Sequence, residues 1–167
     1  MPLVVLIGAS GSGKTTIASA IERRNGNSVN VFYFDRIGVP PADRRVAEYG
    51  SGEAWQRVKT FEWMAKLAPL WRSGASLLFE GQTRLSFLAE AAKAAGIAEY
   101  SPILVDCDDE TRARRLSQER RQPELANETM MHWAAYLRRD AMERGCEILD
   151  TSVVALDRCV ARVMALL

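Results

Sequence analysis

Length, composition and charge predict a single globular domain. The chain has 167 residues, with 48% hydrophobic and 26% charged side chains, and these values exclude disorder as its main description. The formal net charge of +1 argues against a large sequence-independent nucleic-acid footprint, although a local basic patch stays open. No apolar run reaches the roughly 18–20 residues that a membrane-spanning helix needs.

The amino-terminal segment and the cysteines favour a cytoplasmic protein. The apolar run 3–7 is short and no basic segment precedes it, so the sequence predicts no export signal. The cysteines are odd in number and have no close pairing, so we expect buried thiols, a reducing compartment and no metal site. They are Cys107, Cys146 and Cys159.

Strand-like and helix-like patterns alternate along the chain. Short apolar runs predict strands at 3–7, 29–34, 76–79, 103–105 and 146–149. Helical spacing predicts helices at 14–24, 53–71, 85–95, from about 108, at 127–144 and near the carboxyl terminus. Asn127 and Ser152 are the predicted amino-terminal caps of the last two helices, and the acidic cluster 108–110 suits a helix amino terminus.

This alternation implies right-handed crossovers and a parallel sheet covered by helices on both faces, which is an α/β fold. Ligands of such sheets bind beyond the carboxyl ends of the strands. We therefore expect the functional residues directly after each strand.

The segment after the first strand matches a phosphate-binding loop. Gly8-Ala9-Ser10-Gly11-Ser12-Gly13-Lys14-Thr15 fits the Walker A pattern G-x-x-x-x-G-K-[ST]. Its glycines allow successive N–H groups to turn towards a phosphate, and the following helix adds its positive dipole end. Lys14 is predicted to reach the β- and γ-phosphates, and the Thr15 hydroxyl to ligate Mg²⁺. The predicted nucleotide-binding residues of this segment are Gly8, Ser10, Gly11, Ser12, Gly13, Lys14, Thr15 and Thr16.

Three later segments, taken with the loop, resemble the nucleoside and nucleotide kinase group of P-loop proteins, which includes adenylate-, shikimate- and gluconate-kinase-like enzymes. They are Glu80-Gly81-Gln82-Thr83-Arg84, the arginine-rich stretch after Asp106, and Asp150-Thr151-Ser152. Over 34–40 and 150–152 the likeness extends to bacterial proteins described only as ATP-binding or kinase-like. The resemblance covers nearly the whole chain in order and spacing.

The resemblance implies a three-layer P-loop NTPase fold whose five parallel strands run in the order 2-3-1-4-5. It implies a single domain, 1–167, with an acceptor-covering segment at about 37–72 and an arginine-rich lid at about 112–127. ATP and Mg²⁺ are the implied cofactors, and the preference for ATP over GTP rests on this resemblance and on the absence of an N-K-x-D guanine motif.

Two carboxylates follow the second and third predicted strands. Adenylate-kinase-like members carry Asp-Gly-x-Pro-Arg after the third strand, where this chain has Glu80 for Asp and Thr83 for Pro. The resemblance implies that Glu80 holds Mg²⁺, that Arg84 binds the acceptor or the transferred phosphoryl group, and that Asp35 orients the acceptor hydroxyl or accepts its proton. Alternatively, the Glu80 carboxylate is hydrogen-bonded to the backbone or contacts the substrate directly. The alternative for Asp35 is a residue that only forms a turn.

Five arginines lie between positions 112 and 121. Guanidinium groups are planar, always charged and bidentate, which suits phosphate binding. The resemblance implies a closing lid, with Arg112 or Arg115 facing the nucleotide and Arg120 or Arg121 in the lid. Arg115 and Arg120 are the catalytic candidates, and the alternative is an ordinary charged helix surface.

The remaining candidates lie at the two ends of the expected site. Asp150 and Thr151 fall where relatives pass the adenine edge, and helix capping is an equal interpretation. Arg44 or Arg45 is a candidate for binding an anionic acceptor. Three tryptophans of the long helix are expected in the core, with the first of them, nearest the mouth, available to stack on a ring. They are Trp55, Trp63 and Trp71.

The sequence as a whole predicts an ATP-dependent kinase that phosphorylates a hydroxyl or phosphate of a small metabolite, without a membrane or nucleic-acid partner. An ATP-binding regulatory module and a polynucleotide-end kinase are the alternatives. The Asp35-Arg36-Ile37-Gly38 segment also fits the D-x-x-G of GTPases, but it lies only about twenty residues past the loop and lacks the guanine motif.

Overall fold

A parallel sheet forms the centre of the molecule. The computed structural model describes residues 2–167, and for Asn27 its backbone alone. Within this range the strands are β1 (Leu3–Ile7), β2 (Asn30–Tyr33), β3 (Leu77–Gly81), β4 (Ser101–Asp106) and β5 (Glu147–Asp150). They form one sheet in the order β2-β3-β1-β4-β5, with every neighbouring pair parallel. The predicted α/β fold and the strand order implied by the resemblance are confirmed.

Helices cover both faces of the sheet. Within residues 2–167 they are α1 (Lys14–Asn25), α2 (Ala42–Tyr49), α3 (Gly52–Arg72), α4 (Leu85–Ala95), α5 (Asp109–Arg114), α6 (Glu128–Glu143) and α7 (Leu156–Met164). Side chains alternate along β1, so Val5 joins the core beneath α3, α4 and α6, while Val4 joins the core beneath α1 and α7. Every residue of β1 is buried, because the strand is covered on both faces.

Local side-chain signals explain several helix boundaries. The Asn127 side chain accepts a hydrogen bond from the Met130 amide, which confirms the predicted cap of α6. Asp108 caps α5 in the same way, through the amide of Thr111. No helix of residues 2–167 combines the length and the apolar character needed to cross a bilayer.

The predicted cap at Ser152 is wrong. Helix α7 begins four residues later, after Ala155, and Ser152 Oγ accepts from the Asp108 amide at 2.7 Å. The Asp150 carboxylate accepts from the Ser152 amide at 2.8 Å, and this local turn competes with helix initiation.

Helix α2 and the turns around it were not predicted. None of the α2 residues is fully buried, although Tyr49 packs against the core, and eight residues are too few for a helical period to be recognised with certainty in the sequence. The arginine-rich stretch also departs from a plain helix. A single π-helical turn spans Arg115–Glu119, and Arg121 follows it with a φ of 53°, a left-handed conformation unusual for a side chain with a Cβ.

Candidate functional site

The loop between β1 and α1 folds tightly over the carboxyl edge of the sheet. Gly11 and Gly13 have φ values of +78° and +96°, in the left-handed region that glycine tolerates. A Cβ at Gly8 would lie 2.4 Å from the carbonyl oxygen of Val105, so only glycine fits there. The backbone conformation of the loop thus requires glycine at these positions, as the motif predicts.

Side chains from the β4 and β5 side hold the loop carbonyls. Arg112 Nη1 donates to Ser10 O at 2.9 Å, Arg115 Nη1 to Gly11 O at 3.2 Å, and Thr151 Oγ1 to Ser12 O at 2.7 Å. In a trans peptide the following N–H points the opposite way, so the amides of Gly11 and Gly13 face away from these donors, whereas the Ser12 amide is hydrogen-bonded to the Ala9 carbonyl at 3.3 Å. This orientation is the one that an anion-binding loop requires.

Lys14, Glu80 and Asp35 share one electrostatic environment. Lys14 and Glu80 are only 7% and 4% exposed. Burial lowers the pKa of Lys14, while the charges of Glu80 and Asp35 oppose that shift. Burial also raises the pKa of Glu80, against the opposing effects of Lys14 and of the Thr15 hydroxyl, which donates to Glu80 Oε2 at 3.3 Å. The carboxyl ends of β1, β2 and β3 therefore place one cation and two carboxylates together.

Close packing of β2 against β3 positions Asp35. Asp35 is exposed on a 3₁₀ turn, Phe34–Ile37, that continues β2. A Cβ on Gly81 would lie 2.6 Å from the Phe34 Cβ, so a glycine after Glu80 allows the two strand ends to touch. Trp63 Nε1 donates to Phe34 O at 3.1 Å and fixes the turn from α3.

A cavity of about 360 Å³ adjoins the loop. Its polar wall includes Lys14, Thr16 and Thr151, and its apolar wall includes Ile17 and Leu156. The cavity thus combines the phosphate loop with a less polar region, the composition expected of a nucleotide site. The predicted binding residues that line it are Gly11, Gly13, Lys14, Thr15, Thr16 and Thr151.

The structure separates the roles of the arginines. Arg112 is fully buried beneath the loop, where Nη2 binds Asp106 Oδ1 at 2.6 Å, so of the two arginines expected to face the nucleotide only Arg115 lines the cavity. Arg115 lines the cavity, and its Nη1 donates a hydrogen bond to Thr151 Oγ1 at 2.8 Å. Arg120 lines the same cavity. Burial is the main cause of the lowered pKa of Lys14 and the raised pKa of Glu80, and the charge of Arg120 adds to the first shift and opposes the second.

Arg84 lies between an acidic and an aromatic partner. Its Nη2 donates to Glu53 Oε2 at 2.8 Å, and its guanidinium stacks over the rings of Tyr136 and Trp133, at 4.6 and 5.2 Å from their centroids. Whether it also binds an acceptor stays a prediction.

The tryptophans and Arg44 on the expected acceptor side have defined surroundings, while acceptor binding by Arg44 or Arg45 stays a prediction. Trp55 is 4% exposed, and its ring meets Phe34 edge-on and Arg45 across its face, so it is a core residue and does not present a free face at the mouth. Trp63 is buried as predicted. Arg44 forms an exposed pair with Glu48.

A family model places the chain among known proteins. The model described as "AAA domain" matches residues 4–133. The chain belongs to the AAA domain family. The matched residues of this AAA domain include the loop, both carboxylates and all five clustered arginines, whereas Asp150 and Thr151 lie beyond them.

Three solved structures share the fold of this AAA domain over nearly the full length of both chains. A sugar kinase from Janibacter sp. is 20% identical with a TM-score of 0.69, covering 99% of this chain and 94% of that chain. Shikimate kinase from Acinetobacter baumannii, solved with shikimate, is 16% identical with a TM-score of 0.65, covering 99% and 92%. A gluconokinase from Sinorhizobium meliloti is 18% identical with a TM-score of 0.65, covering 98% and 90%.

At these identities the likeness shows the fold, which is that of small P-loop kinases, as the resemblance implied. No curated protein sequence matches this AAA domain.

The site of this AAA domain contains residues that the sequence did not single out. Asp106 accepts hydrogen bonds from two arginines, Arg112 and Arg138. The bond from Arg138 Nε, at 2.5 Å, connects this carboxylate to helix α6. Gln82 Nε2 donates to Ser10 Oγ at 2.8 Å. Asp106 had a usable signal, since it is an acid directly after a buried strand; Gln82 and Arg138 had none.

The residues of this AAA domain fit a magnesium ion that is bound together with phosphate. The Thr15 hydroxyl and the buried Glu80 carboxylate lie side by side next to the loop, and both are oxygen ligands. Within residues 2–167 no group of three or more histidine, cysteine or acidic side chains is arranged so that it could hold a metal ion. A site of few protein ligands is typical of Mg²⁺, which usually keeps waters and substrate phosphates in its shell.

Proposed function

We propose that this AAA domain is a kinase that uses ATP and Mg²⁺ to phosphorylate a hydroxyl or phosphate group of a small molecule. The observation that carries the proposal is the convergence of Lys14, Glu80 and Asp35 beside a tight glycine loop. A P-loop that only binds nucleotide has no need for an exposed carboxylate at the end of β2, which lies two strands from β1 in the sheet. The shared fold with a sugar kinase, a shikimate kinase and a gluconokinase supports the same conclusion.

Each residue has a role that follows from its position. The loop amides and Lys14 hold the β- and γ-phosphates. Thr15 and Glu80 hold Mg²⁺, which when bound supplies the positive charge that neutralises the phosphate oxygens. Arg120 adds a second positive charge from the lid side of the same cavity.

Asp35 acts on the acceptor. Its carboxylate accepts a hydrogen bond from the acceptor hydroxyl and thereby orients the oxygen towards the γ-phosphorus. The oxygen–phosphorus bond forms as the bond between the γ-phosphorus and the β,γ-bridging oxygen breaks, and the hydroxyl proton passes to Asp35. Because phosphoryl transfer depends mainly on positioning and charge, an ordinary carboxylate suffices for this role.

An acceptor screen tests the proposal. Purified protein is incubated with Mg-ATP and pools of nucleosides, nucleotides, sugars or sugar acids, and ADP formation is measured against a blank without acceptor. We expect one pool to stimulate ADP formation, and the phosphorylated product to appear in its mass spectrum. Equal blanks across all pools would contradict the kinase assignment and favour a regulatory ATPase module.

Substitution of Asp35 gives the matched test. Asp35→Asn is expected to lower the turnover of the identified acceptor by about 100-fold or more while ATP affinity is unchanged. Asp157→Asn removes an exposed carboxylate on α7 and serves as the control. Unchanged turnover in Asp35→Asn would remove this residue from the mechanism.

A further inference from the structure

The turn after β3 is hydrogen-bonded to one face of helix α3. Its three consecutive residues contact helix positions 53, 56 and 60, which share a face because they are three and four residues apart. The contacts are Arg84 Nη2 to Glu53 Oε2 (2.8 Å), Gln56 Nε2 to Gln82 O (2.9 Å) and the hydroxyls of Thr60 and Thr83 (2.7 Å). Thr60 and Thr83 are fully buried, so the turn and the helix are held closely together.

The same turn is bonded to the phosphate loop through one side chain. Gln82 Nε2 donates to Ser10 Oγ at 2.8 Å, and Ser10 is 7% exposed. Gln82 therefore has two partners. Its backbone carbonyl accepts a hydrogen bond from Gln56 of α3, and its side-chain amide donates a hydrogen bond to the loop. Two hydrogen bonds form a continuous connection from α3 to the loop.

Helix α3 also holds the acceptor side of the site. Trp63 of α3 donates to the carbonyl of Phe34, the residue before Asp35. Helix α2, which packs on α3, completes the segment that the sequence predicts to cover the acceptor. A displacement of α3 would therefore reach both Asp35 and, through Gln82, the phosphate loop.

We propose that Gln82 is a positioning residue that couples occupancy of the phosphate loop to the order of α3, so that nucleotide and acceptor bind synergistically. This inference rests on the proposed function. Coupling between two sites is reciprocal, and couplings in proteins commonly change affinity by about 5- to 150-fold. The connection predicts that nucleotide alone rigidifies α3, before any acceptor is bound.

Hydrogen–deuterium exchange of the full chain with and without Mg-ADP tests the coupling without a known acceptor. In the unmodified protein we expect Mg-ADP to slow amide exchange in the loop and also in α3. Gln82→Met keeps the length of the side chain and the backbone carbonyl but cannot donate to Ser10, so nucleotide is expected to protect the loop alone. Gln56→Met interrupts the connection at its other bond and is expected to give the same result. Lys93→Met, on the exposed far end of α4, is the control.

The fold of the variants is checked in the same experiment. The Glu53–Arg84 and Thr60–Thr83 contacts remain in both variants, so α3 exchange without nucleotide should equal that of the unmodified protein. A merely structural role of Gln82 would raise α3 exchange with and without nucleotide alike, and that result would overturn the proposal.

The outcomes separate the coupling from the function on which it rests. A loop that Mg-ADP does not protect in the unmodified protein would contradict nucleotide binding, and the coupling with it. A protected loop with unchanged α3 exchange would overturn only the coupling. Equal α3 protection in Gln82→Met and the unmodified protein would show that Gln82 does not carry it.

Discussion

Lys14 and Glu80 both lie where burial opposes their charged forms. Burial lowers the pKa of Lys14 and raises that of Glu80, and in each case it exceeds the attraction of the other residue. A pair optimised only for each other would shift in the opposite directions. This arrangement is typical of a site that gains its stabilising charges from a ligand, which under the proposed function would be phosphates for Lys14 and a cation for Glu80.

The lowered pKa of Lys14 predicts a pH dependence of nucleotide binding. Phosphates favour the protonated lysine, so binding requires proton uptake once the pH exceeds the lowered pKa of the free protein. Affinity for Mg-ADP should therefore fall as the pH rises through that pKa, and should not change through this group below it. Calorimetric titrations between about pH 7 and 10 measure the effect.

The control for this prediction is Lys14→Arg, since arginine stays charged over the whole range. Its affinity, even if lower, should not fall over the same range. A parallel fall in both proteins would assign the dependence to another group.

Buried and exposed ion pairs of equal length should differ strongly in their contribution to stability. Arg112 is fully buried and binds Asp106 at 2.6 Å, whereas the 2.6 Å pair of Arg24 and Asp157 is exposed. Asp106→Asn leaves the buried guanidinium without its counter-charge and should lower the free energy of unfolding by about 3–5 kcal/mol. Asp157→Asn should have a much smaller effect in urea unfolding. Equal losses would mean that Asp106 does not compensate a buried charge.

At the level of elements, the approach of two strand ends creates the side of the site where we propose that the acceptor binds. The glycine after Glu80 allows Phe34 to pack directly on β3, which carries Asp35 towards Lys14. The sequence contains this information only as a glycine between a strand and a helix, so neither the contact nor its partner could be predicted from the pattern.

Gly81→Ala tests this contact. The added Cβ would lie 2.6 Å from the Phe34 Cβ, so the strand ends must separate, and we expect a loss of about 1–3 kcal/mol in the free energy of unfolding together with reduced turnover. Gly52→Ala is the matched control, because a Cβ there meets its nearest atom, Arg45 Nη1, at 3.9 Å and stands in the first turn of α3. That variant should be neutral or slightly stabilising. Equal effects of the two substitutions in urea unfolding would contradict the close approach.

The arginine-rich stretch shows why the roles of residues within one segment were not predictable. Helical spacing alone does not separate Arg112, Arg115 and Arg120. In the structure Arg112 lies under the loop and Arg115 is hydrogen-bonded to Thr151. Arg120 follows a π-helical turn and lines the cavity. The π turn adds a residue to the local period, and nothing in the sequence marks it.

Across the whole molecule, the predictable features are those fixed by local pattern. Strands buried on both faces, the glycine loop and the Asn127 cap follow from short-range sequence signals, and the parallel sheet follows from their alternation. Helix α2 was missed because its eight residues are too few to establish a helical period, and the Ser152 cap failed because Asp150 forms a competing turn. Contacts between distant segments, such as Gln82 with Ser10, depend on the fold itself.

Calorimetric titration with Mg-ATP is the most direct test that the loop of this AAA domain binds a nucleotide. We predict saturable one-site binding that Lys14→Ala weakens by about 10- to 100-fold, because a charge-assisted contact with phosphate is lost. Lys93→Ala, which removes an exposed lysine of α4, should bind as the unmodified protein does. Absence of binding, or binding that Lys14→Ala leaves unchanged, would contradict nucleotide binding by this loop.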